Sequence, residues 1–314
     1  MSRIHEALKK ATQERAAIPA ADIGAVPPGA VPAPPDWSSS APAALSDLNT
    51  GAGSLAALPS GYLRFDDLRA RCAHPKWQLD PNVNVFFNTL LSPHAAEQFR
   101  TLRTRLYQLR SSQTLRTILV TSALAGEGKT FVTSNLAQAI VHQPDTRVLI
   151  IDADLRCARM HLSLGAPTAP GLTDYLRGQA DEMTIIQHGQ EGNLCFIPGG
   201  NEVTNPSELL SNGRLKKLLD YMTRVFDWVI VDSPPCVPVA DASILAALCD
   251  GVLLVVRAGS TPTHVAQRAC QELQGRNVVG VVLNAIDDSN QNGSHYYQAD
   301  GYGYGKTASK DLRQ

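Results

Sequence analysis

The sequence predicts an α/β protein with a doubly wound, mostly parallel sheet, and three observations lead to this fold class. Short apolar runs rich in β-branched residues recur from about residue 117, as is typical of parallel strands buried on both faces. Segments with apolar residues at helical spacing lie between these runs. Strands and helices that alternate along a chain form one sheet with helices on both faces. The predicted strands are TILVTS, RVLIID, LCFIPG, WVIVD, VLLVV and VVGVVLN.

Length, composition and charge limit the functions that the chain can have. Its 314 residues, 44% of them apolar, are enough for a large core. The 28 basic residues are offset by 29 acidic ones, so we expect no nucleic-acid partner. Six cysteines without CxxC spacing indicate buried thiols in a reducing cytoplasm. The longest apolar stretch, residues 242–256, is shorter than the ~20 residues of a membrane span, so we expect a cytoplasmic chain.

The sequence divides into four expected segments. Residues 1–16 have an amphipathic helical pattern, which is typical either of a marginal helix or of a docking helix for a partner or membrane surface. Residues 17–90 are rich in proline and alanine, so we expect a largely disordered linker. Residues 91–286 form the α/β domain. Residues 287–314 are expected to be a flexible tail, and they hold four of the eight tyrosines in a glycine-spaced segment.

A phosphate-binding motif follows the first predicted strand. The segment ALAGEGKT, residues 123–130, lies between that strand and a predicted helix, which is the setting that a P-loop, or Walker A motif, requires. Backbone N–H groups and the helix N-terminus face the phosphates, Lys129 reaches the β and γ oxygens, and the Thr130 hydroxyl binds Mg²⁺. We therefore predict a P-loop NTPase. The predicted nucleotide-binding residues are Gly126, Glu127, Gly128, Lys129, Thr130 and Phe131.

Carboxylates end two further predicted strands. Asp152 and Asp154 belong to VLIIDADLR, and Asp232 belongs to WVIVDSPP. The carboxyl ends of parallel strands share one edge of a sheet, where ligands of α/β proteins bind. A single acidic residue at a strand end is more often a solvated turn or a helix cap. Three that converge on a P-loop favour a site that holds Mg²⁺, directly or through water, and accepts a proton from an attacking hydroxyl.

Together these motifs resemble those of the bacterial tyrosine kinases of exopolysaccharide and capsule gene clusters, the BY-kinases. That family has a Walker A motif, a Walker A′ motif of an aliphatic strand plus Asp-x-Asp-x-Arg, a Walker B strand that ends in Asp, and a C-terminal tyrosine cluster. The matching segments are ALAGEGKT, LIIDADLR, VIVDSPP and YYQADGYGYG, within residues 90–304. The N-terminal MSRIHEALKKA and the proline-rich linker resemble the exosortase-associated tyrosine autokinase subgroup.

The resemblance implies an ATP-dependent protein-tyrosine autokinase that regulates exopolysaccharide synthesis, polymerisation or export. It would phosphorylate its own tail in trans within an oligomer. Thr130, Asp152 and Asp232 would organise Mg²⁺, and Asp154 would orient or deprotonate the incoming phenol. The implied catalytic residues are Lys129, Asp152, Asp154 and Asp232, and the implied phosphoacceptors are Tyr296, Tyr297, Tyr302 and Tyr304.

The resemblance also implies partners. The segment EQFRTLR matches the family's Glu-x-x-Arg-x-x-Arg motif for ring-like self-association, with Glu97, Arg100 and Arg103 on one face of a predicted helix. An ordinary solvated helix face is the alternative. A membrane chain-length determinant, or polysaccharide co-polymerase, protein would activate the kinase at the inner face of the plasma membrane, and a cognate phosphatase would reverse the reaction.

Two other functions remain open at this point. One is a ParA/MinD-like partitioning ATPase, but Leu124 stands where those proteins carry a second lysine. The other is a non-catalytic nucleotide-binding adaptor, against which the complete set of site residues argues. Ala125 replaces a proline that is common in the kinases. Arg156 either contacts phosphate or a neighbouring subunit, and Asn284 either reads the adenine edge or belongs to a simple turn.

Overall fold

The computed structural model describes residues 64–87, 93–189 and 192–286. The predicted N-terminal helix, most of the predicted linker and the tyrosine tail lie outside the described residues. Among the residues that are described, no helix combines the length and the apolar character needed to cross a membrane.

The described elements form one seven-stranded sheet flanked by helices. The strands are β1 (Thr117–Ser122), β2 (Val148–Asp152), β3 (Gln187–His188), β4 (Leu194–Ile197), β5 (Trp228–Asp232), β6 (Gly251–Arg257) and β7 (Val278–Asn284). The helices are α1 (Phe65–Arg71), α2 (Pro93–Arg110), α3 (Lys129–Val141), α4 (Met160–Leu164), α5 (Leu172–Leu176), α6 (Glu182–Ile185), α7 (Pro206–Ser211), α8 (Arg214–Val225), α9 (Asp241–Ala246) and α10 (Thr263–Glu272).

The strand order is β3-β4-β2-β5-β1-β6-β7, and the pairing is parallel except between β3 and β4. The predicted doubly wound, mostly parallel sheet is confirmed, and all six predicted strands are present. Sequence reasoning missed β3, because a two-residue strand is too short to show an alternation of apolar and polar positions.

Two apolar layers enclose the sheet, because successive strand residues point to opposite faces. In β5, Trp228 and Ile230 belong to the layer that includes residues of α2 and α3. Val229 and Val231 belong to the opposite layer, which includes residues of α8 and α10. Every residue of β1, β2 and β5 is buried. Burial on both faces explains the continuous apolar runs from which these central strands were predicted.

The edge strand β7 departs from the expectation that each strand is buried on both faces. Val279 and Val282 pack on the core, but Val281 is 59% exposed and Leu283 is 51% exposed. The prediction was wrong for this strand, because an apolar run is the same in a central strand and in an edge strand. Only the tertiary arrangement determines whether a helix covers the second face.

The expected disordered linker was wrong for residues 64–87, which pack onto the α/β domain. Leu68 of α1 is fully buried, and the ring of Phe65 meets that of Phe226 edge-on, with 5.6 Å between centroids. The folded domain therefore includes residues well before the predicted boundary at 91. A seven-residue helix with two buried side chains shows too few apolar positions for a periodic pattern to be recognised.

Candidate active site

Three central strands bring the predicted motifs to one edge of the sheet. β5 lies between β2 and β1, and its last residue, Asp232, is in register with Asp152 of β2 and Val120 of β1. The P-loop begins directly after β1 and leads into α3. The parallel sheet therefore places the P-loop beside both strand-ending aspartates, as ligand sites in α/β sheets require.

The P-loop has a backbone shape that depends on two glycines. Gly126 and Gly128 have φ angles of +81° and +91°, which side-chain-bearing residues rarely adopt. Apart from Gly126 and its two chain neighbours, no described residue has an atom within 4 Å of the place where a Cβ on Gly126 would stand. Gly128 caps α3, whose first-turn N–H groups have no partner within the helix and favour anions. This open cradle fits the phosphates of a nucleotide.

Lys129 is the cation at the centre of the site. Its Nζ lies 3.0 Å from Oδ2 of Asp154, and both side chains are largely buried. Burial acts to lower the pKa of Lys129, but attraction to Asp232 and Asp154 outweighs it and raises the pKa above its ordinary value. Lys129 is therefore charged at neutral pH, and it offsets part of the negative charge of the aspartates.

Asp232 orients the hydroxyl of Thr130. Thr130 Oγ1 donates a hydrogen bond to Asp232 Oδ2 over 2.6 Å, and Thr133 Oγ1 donates to the other oxygen over 3.2 Å. Because the only Thr130 hydroxyl proton is used, the oxygen lone pairs are available to a cation. A hydroxyl beside a carboxylate is an oxygen donor set, and Mg²⁺ prefers oxygen ligands. Thr130 and Asp232 therefore fit Mg²⁺.

Asp152 is engaged by the backbone of the Walker A′ loop. It is fully buried, and its two oxygens accept N–H hydrogen bonds from Asp154 (3.2 Å) and Met160 (3.1 Å). Burial and the neighbouring charge of Asp232 raise the pKa of Asp152 well above its usual range. These bonds shape the loop that carries Asp154. A direct Asp152–Mg²⁺ contact stays a prediction, and it would compete with these backbone bonds.

Arg156 forms an ion pair within its own chain. Its guanidinium donates to both oxygens of Asp241, at 2.7 and 3.1 Å, and also to the Ser207 hydroxyl at 3.2 Å. Although burial acts to raise it, these donors hold the pKa of Asp241 below its usual range. Neither of the roles considered from the sequence foresaw this contact. Arg156 fastens the Walker A′ loop to the starts of α7 and α9.

The predicted interface residues of α2 divide into two groups. Glu97 and Arg100 form an exposed ion pair of 3.1 Å. Arg103 instead donates a 2.7 Å hydrogen bond to the Ala139 carbonyl of α3, so in this chain it joins two helices. Glu97 and Arg100 are therefore accessible for a subunit contact. The four predicted phosphoacceptor tyrosines lie outside the described residues.

Residues from other parts of the chain contact the P-loop and the start of α3. The Phe131 ring packs on Phe99 of α2, so only the backbone of Phe131 remains for phosphate binding. Asn284 Nδ2 donates to the Glu127 carbonyl over 2.9 Å, a contact that neither sequence hypothesis for Asn284 foresaw. Sequence reasoning also missed Arg257 and Thr261, which contact the P-loop from the end of β6 and the segment after it. Neither Arg257 nor Thr261 belongs to a sequence motif that would identify it.

The ionisation of Asp232 gives a prediction on stability. Burial raises its pKa from 3.8 to about 6, so between these values the native chain binds more protons than the unfolded chain. The free energy of unfolding should then fall as pH rises through about 6, by at most ~1.4 kcal/mol per pH unit for one proton. We expect Asp232→Asn to make this slope shallower in urea unfolding between pH 5 and 7.

Asp232→Asn removes this carboxyl and, with it, the charge that adds to the effect of burial in raising the pKa of Asp152, so both changes make the pH slope shallower. Burial lowers the pKa of His161 and His188, which act in the opposite direction as pH falls below 6.5, but both histidines are the same in the two proteins. Equal pH slopes for wild type and variant would contradict the prediction.

The chain resembles a family profile and several curated proteins. The AAA domain family matches residues 115–273. The tyrosine-protein kinase CpsD of Streptococcus agalactiae is 34% identical over 196 residues, which are 62% of this chain and 84% of CpsD. The tyrosine-protein kinase etk of Escherichia coli K12 is 35% identical over 223 residues, 70% of this chain. The chain spans only 31% of the length of etk and 27% of the length of the Acinetobacter johnsonii kinase ptk.

Two solved structures are also similar to this chain. The kinase domain of the Escherichia coli tyrosine kinase ETK superposes with a TM-score of 0.59 at 35% identity, covering 68% of this chain and 80% of that domain. The chimerical protein CapA2B2 superposes with a TM-score of 0.62 at 25% identity, covering 70% and 98%. The fold, the order of the motifs and these relatives together assign the chain to the AAA-domain family and, within it, to the bacterial tyrosine-protein kinases.

Proposed function

We propose that the chain is an ATP-dependent, Mg²⁺-dependent protein-tyrosine kinase that phosphorylates tyrosines of its own C-terminal tail. The proposal is supported most by the arrangement of Lys129, Thr130, Asp154 and Asp232 around one P-loop. Membership of the bacterial tyrosine-protein kinases supports tyrosine, rather than water, as the acceptor. The four glycine-spaced tyrosines of residues 296–304 are the proposed acceptors.

Lys129 has two alternative partners in the proposed reaction. In the structure it pairs with Asp154. When the P-loop N–H groups hold a triphosphate, the Lys129 ammonium turns to the phosphate oxygens, and Asp154 Oδ2 is released. Mg²⁺, held by Thr130 and Asp232, would neutralise the charge of the transferring phosphoryl group. Binding of the nucleotide thus exposes the carboxylate that the next step needs.

Asp154 then serves the incoming tyrosine. The ordinary pKa of a phenol is ~10, so the hydroxyl arrives protonated at neutral pH. Asp154 accepts this proton as the phenol oxygen bonds to the γ-phosphorus and the bond from that phosphorus to ADP breaks. The products are ADP and phosphotyrosine.

Phosphorylation in trans within an oligomer is the second part of the proposal. The exposed pair Glu97 and Arg100 supports a subunit contact through α2. Each phosphotyrosine adds about −1.5 to −2 charges, so a multiply phosphorylated tail repels itself and the carboxylates of the site. Autophosphorylation would therefore loosen the oligomer, which light scattering before and after addition of ATP can measure.

A mixing experiment tests both parts. One chain carries phenylalanine at Tyr296, Tyr297, Tyr302 and Tyr304, and the other carries Lys129→Met. We expect neither chain alone to acquire tail phosphotyrosine with MgATP, whereas the mixture labels the Lys129→Met chain, because active site and acceptor then come from different subunits. Each chain is tagged so that mass spectrometry identifies the labelled one.

Three outcomes would contradict the proposal. Phosphotyrosine that forms in the phenylalanine-tail chain would place the acceptor elsewhere. An unlabelled mixture, with a wild-type chain that labels itself at a rate independent of concentration, would show transfer in cis. A wild-type chain that hydrolyses ATP without forming phosphotyrosine would favour the partitioning-type ATPase.

The proposal extends to exopolysaccharide synthesis, polymerisation or export. Family membership supports a membrane chain-length determinant protein as activator, recruitment of the chain to the inner face of the membrane through it, and a cognate phosphatase. Sedimentation of the purified chain with vesicles that hold such a protein, but not with protein-free vesicles, tests recruitment. Equal sedimentation with both would argue against it.

A further inference from the structure

The P-loop contains a carboxylate that the proposed reaction does not use. Glu127 lies between the two P-loop glycines, and only 3% of its surface is exposed. One carboxylate oxygen accepts the Leu124 N–H over 2.7 Å, and the other is hydrogen-bonded by the Thr261 hydroxyl. Thr261 follows β6, far from the P-loop in sequence. Both oxygens of the Glu127 carboxylate thus accept a hydrogen bond from within the chain.

Two further contacts reach carbonyl groups of the P-loop. Asn284, the last residue of β7, donates to the Glu127 carbonyl, and Arg257, the last residue of β6, donates to the Gly126 carbonyl over 3.1 Å. A Cβ on Gly128 would collide with the Asn284 amide. The ends of two neighbouring strands therefore hold the P-loop by carbonyl groups, not by the N–H groups of Gly126 and Glu127 that phosphate binding needs.

We propose that Glu127, Thr261 and Asn284 form a clamp that fixes the P-loop in its phosphate-binding shape, and that they are positioning residues for the nucleotide. The reason is electrostatic as well as geometric. A carboxylate that turned toward a bound triphosphate would repel it, and a buried oxygen without a donor costs free energy. The Thr261 hydroxyl prevents both, because its hydrogen bond supplies the donor and holds the carboxylate beside the segment that follows β6.

The clamp makes an unusual prediction for Glu127 itself. In Glu127→Gln, the amide oxygen can accept the Leu124 N–H and the amide nitrogen can donate to Thr261, so the clamp survives without the negative charge. Glu127→Ala removes both contacts. We therefore expect Glu127→Gln to bind ATP at least as tightly as wild type and Glu127→Ala to bind at least about tenfold more weakly. A carboxylate that acted in chemistry or bound Mg²⁺ would not tolerate glutamine.

The decisive experiment measures MgATP affinity by calorimetry, without reference to phosphorylation. Thr261→Val replaces the hydroxyl by a methyl group of similar size and should weaken binding about tenfold, because the hydrogen bond to a charged group is lost. Thr261→Ser keeps the hydroxyl and should bind MgATP with the wild-type affinity. Thr263→Val, the same substitution at an exposed position of α10, is the matched control and should bind as wild type does. Steady-state kinetics should show a raised KM for ATP with kcat within about twofold.

The inference rests on the proposed function only in that the P-loop binds nucleotide, so the two can fail separately. If the wild-type chain does not bind ATP, the proposed function fails. If it binds and Thr261→Val, folded by circular dichroism, binds equally well, the clamp is wrong. If Thr261→Val does not fold, Asn284→Ala decides, because it removes only the donor to the Glu127 carbonyl at a half-buried position. An unchanged affinity in Asn284→Ala would then overturn the inference.

Discussion

Lys129→Met is expected to lower the rate of tail tyrosine phosphorylation at least about a thousandfold. In the proposed reaction Lys129 is the cation that faces the transferring phosphoryl group, and preorganised positive charge is the main means by which P-loop enzymes stabilise that group. Methionine has a similar length and flexibility but no charge. The rate is measured as phosphotyrosine formed per minute with MgATP in excess.

Loss of folding must be separated from loss of catalysis in this variant. Burial raises the pKa of Asp232, and the attraction of Lys129 limits this rise. Replacing Lys129 with methionine leaves the buried carboxylates without that positive charge, so the unfolding midpoint should fall. Lys129→Arg is the matched control, because arginine keeps the positive charge but its planar fork does not reproduce a point contact with phosphate. We expect Lys129→Arg to unfold near the wild-type midpoint and still lose at least about a hundredfold in rate. Activity of Lys129→Met within tenfold of wild type would refute the proposed role.

Much of the site could be predicted because its signals are local. The P-loop is one continuous segment between a strand and a helix, so its glycines and Lys129 are recognisable together. Asp152 and Asp232 each end an apolar run, and a parallel sheet brings such ends to one edge. These positions follow from neighbours in sequence and a single topological rule. The same reasoning gave the strands and their parallel pairing.

The contacts that shape the site could not be predicted, because they join residues far apart in the chain. Arg156 and Asp241 are 85 residues apart, and Glu127 and Thr261 are 134 apart. Nothing in the local pattern of either partner specifies the other. The same holds for Leu68, whose burial depends on a surface formed by strands and helices much later in the sequence.

The charge balance of the site is a property of the folded chain alone. Sequence reasoning identified one lysine and three aspartates but not the protonation state of each in the folded chain. Burial raises the pKa of both Asp152 and Asp232, whereas Lys129 keeps its charge because it is attracted to the carboxylates. Of the three aspartates, Asp154 pairs directly with Lys129. In the proposed reaction, this pairing makes Asp154 the carboxylate that nucleotide binding would release.

Asp154→Asn is therefore expected to reduce kcat about 10²–10⁴-fold, the range for loss of a positioned proton acceptor, without weakening ATP binding. The amide cannot accept the phenol proton, and it no longer holds Lys129 away from the phosphates, so the KM for ATP should be unchanged or lower. Asp220→Asn, which removes an exposed carboxylate of α8, is the control for charge and should behave as wild type.

The pH dependence of Asp154→Asn distinguishes a proton acceptor from a residue that only orients the tyrosine. With the acceptor removed, transfer should depend on tyrosine that is already ionised, whose fraction rises about tenfold per pH unit below its pKa of ~10. We expect the rate of Asp154→Asn to rise with this slope between pH 7.5 and 9, while the wild-type rate rises much less. A variant whose rate is low but independent of pH would show that Asp154 only orients the tyrosine, because loss of an orienting carboxylate gives no reason for ionised tyrosine to react faster.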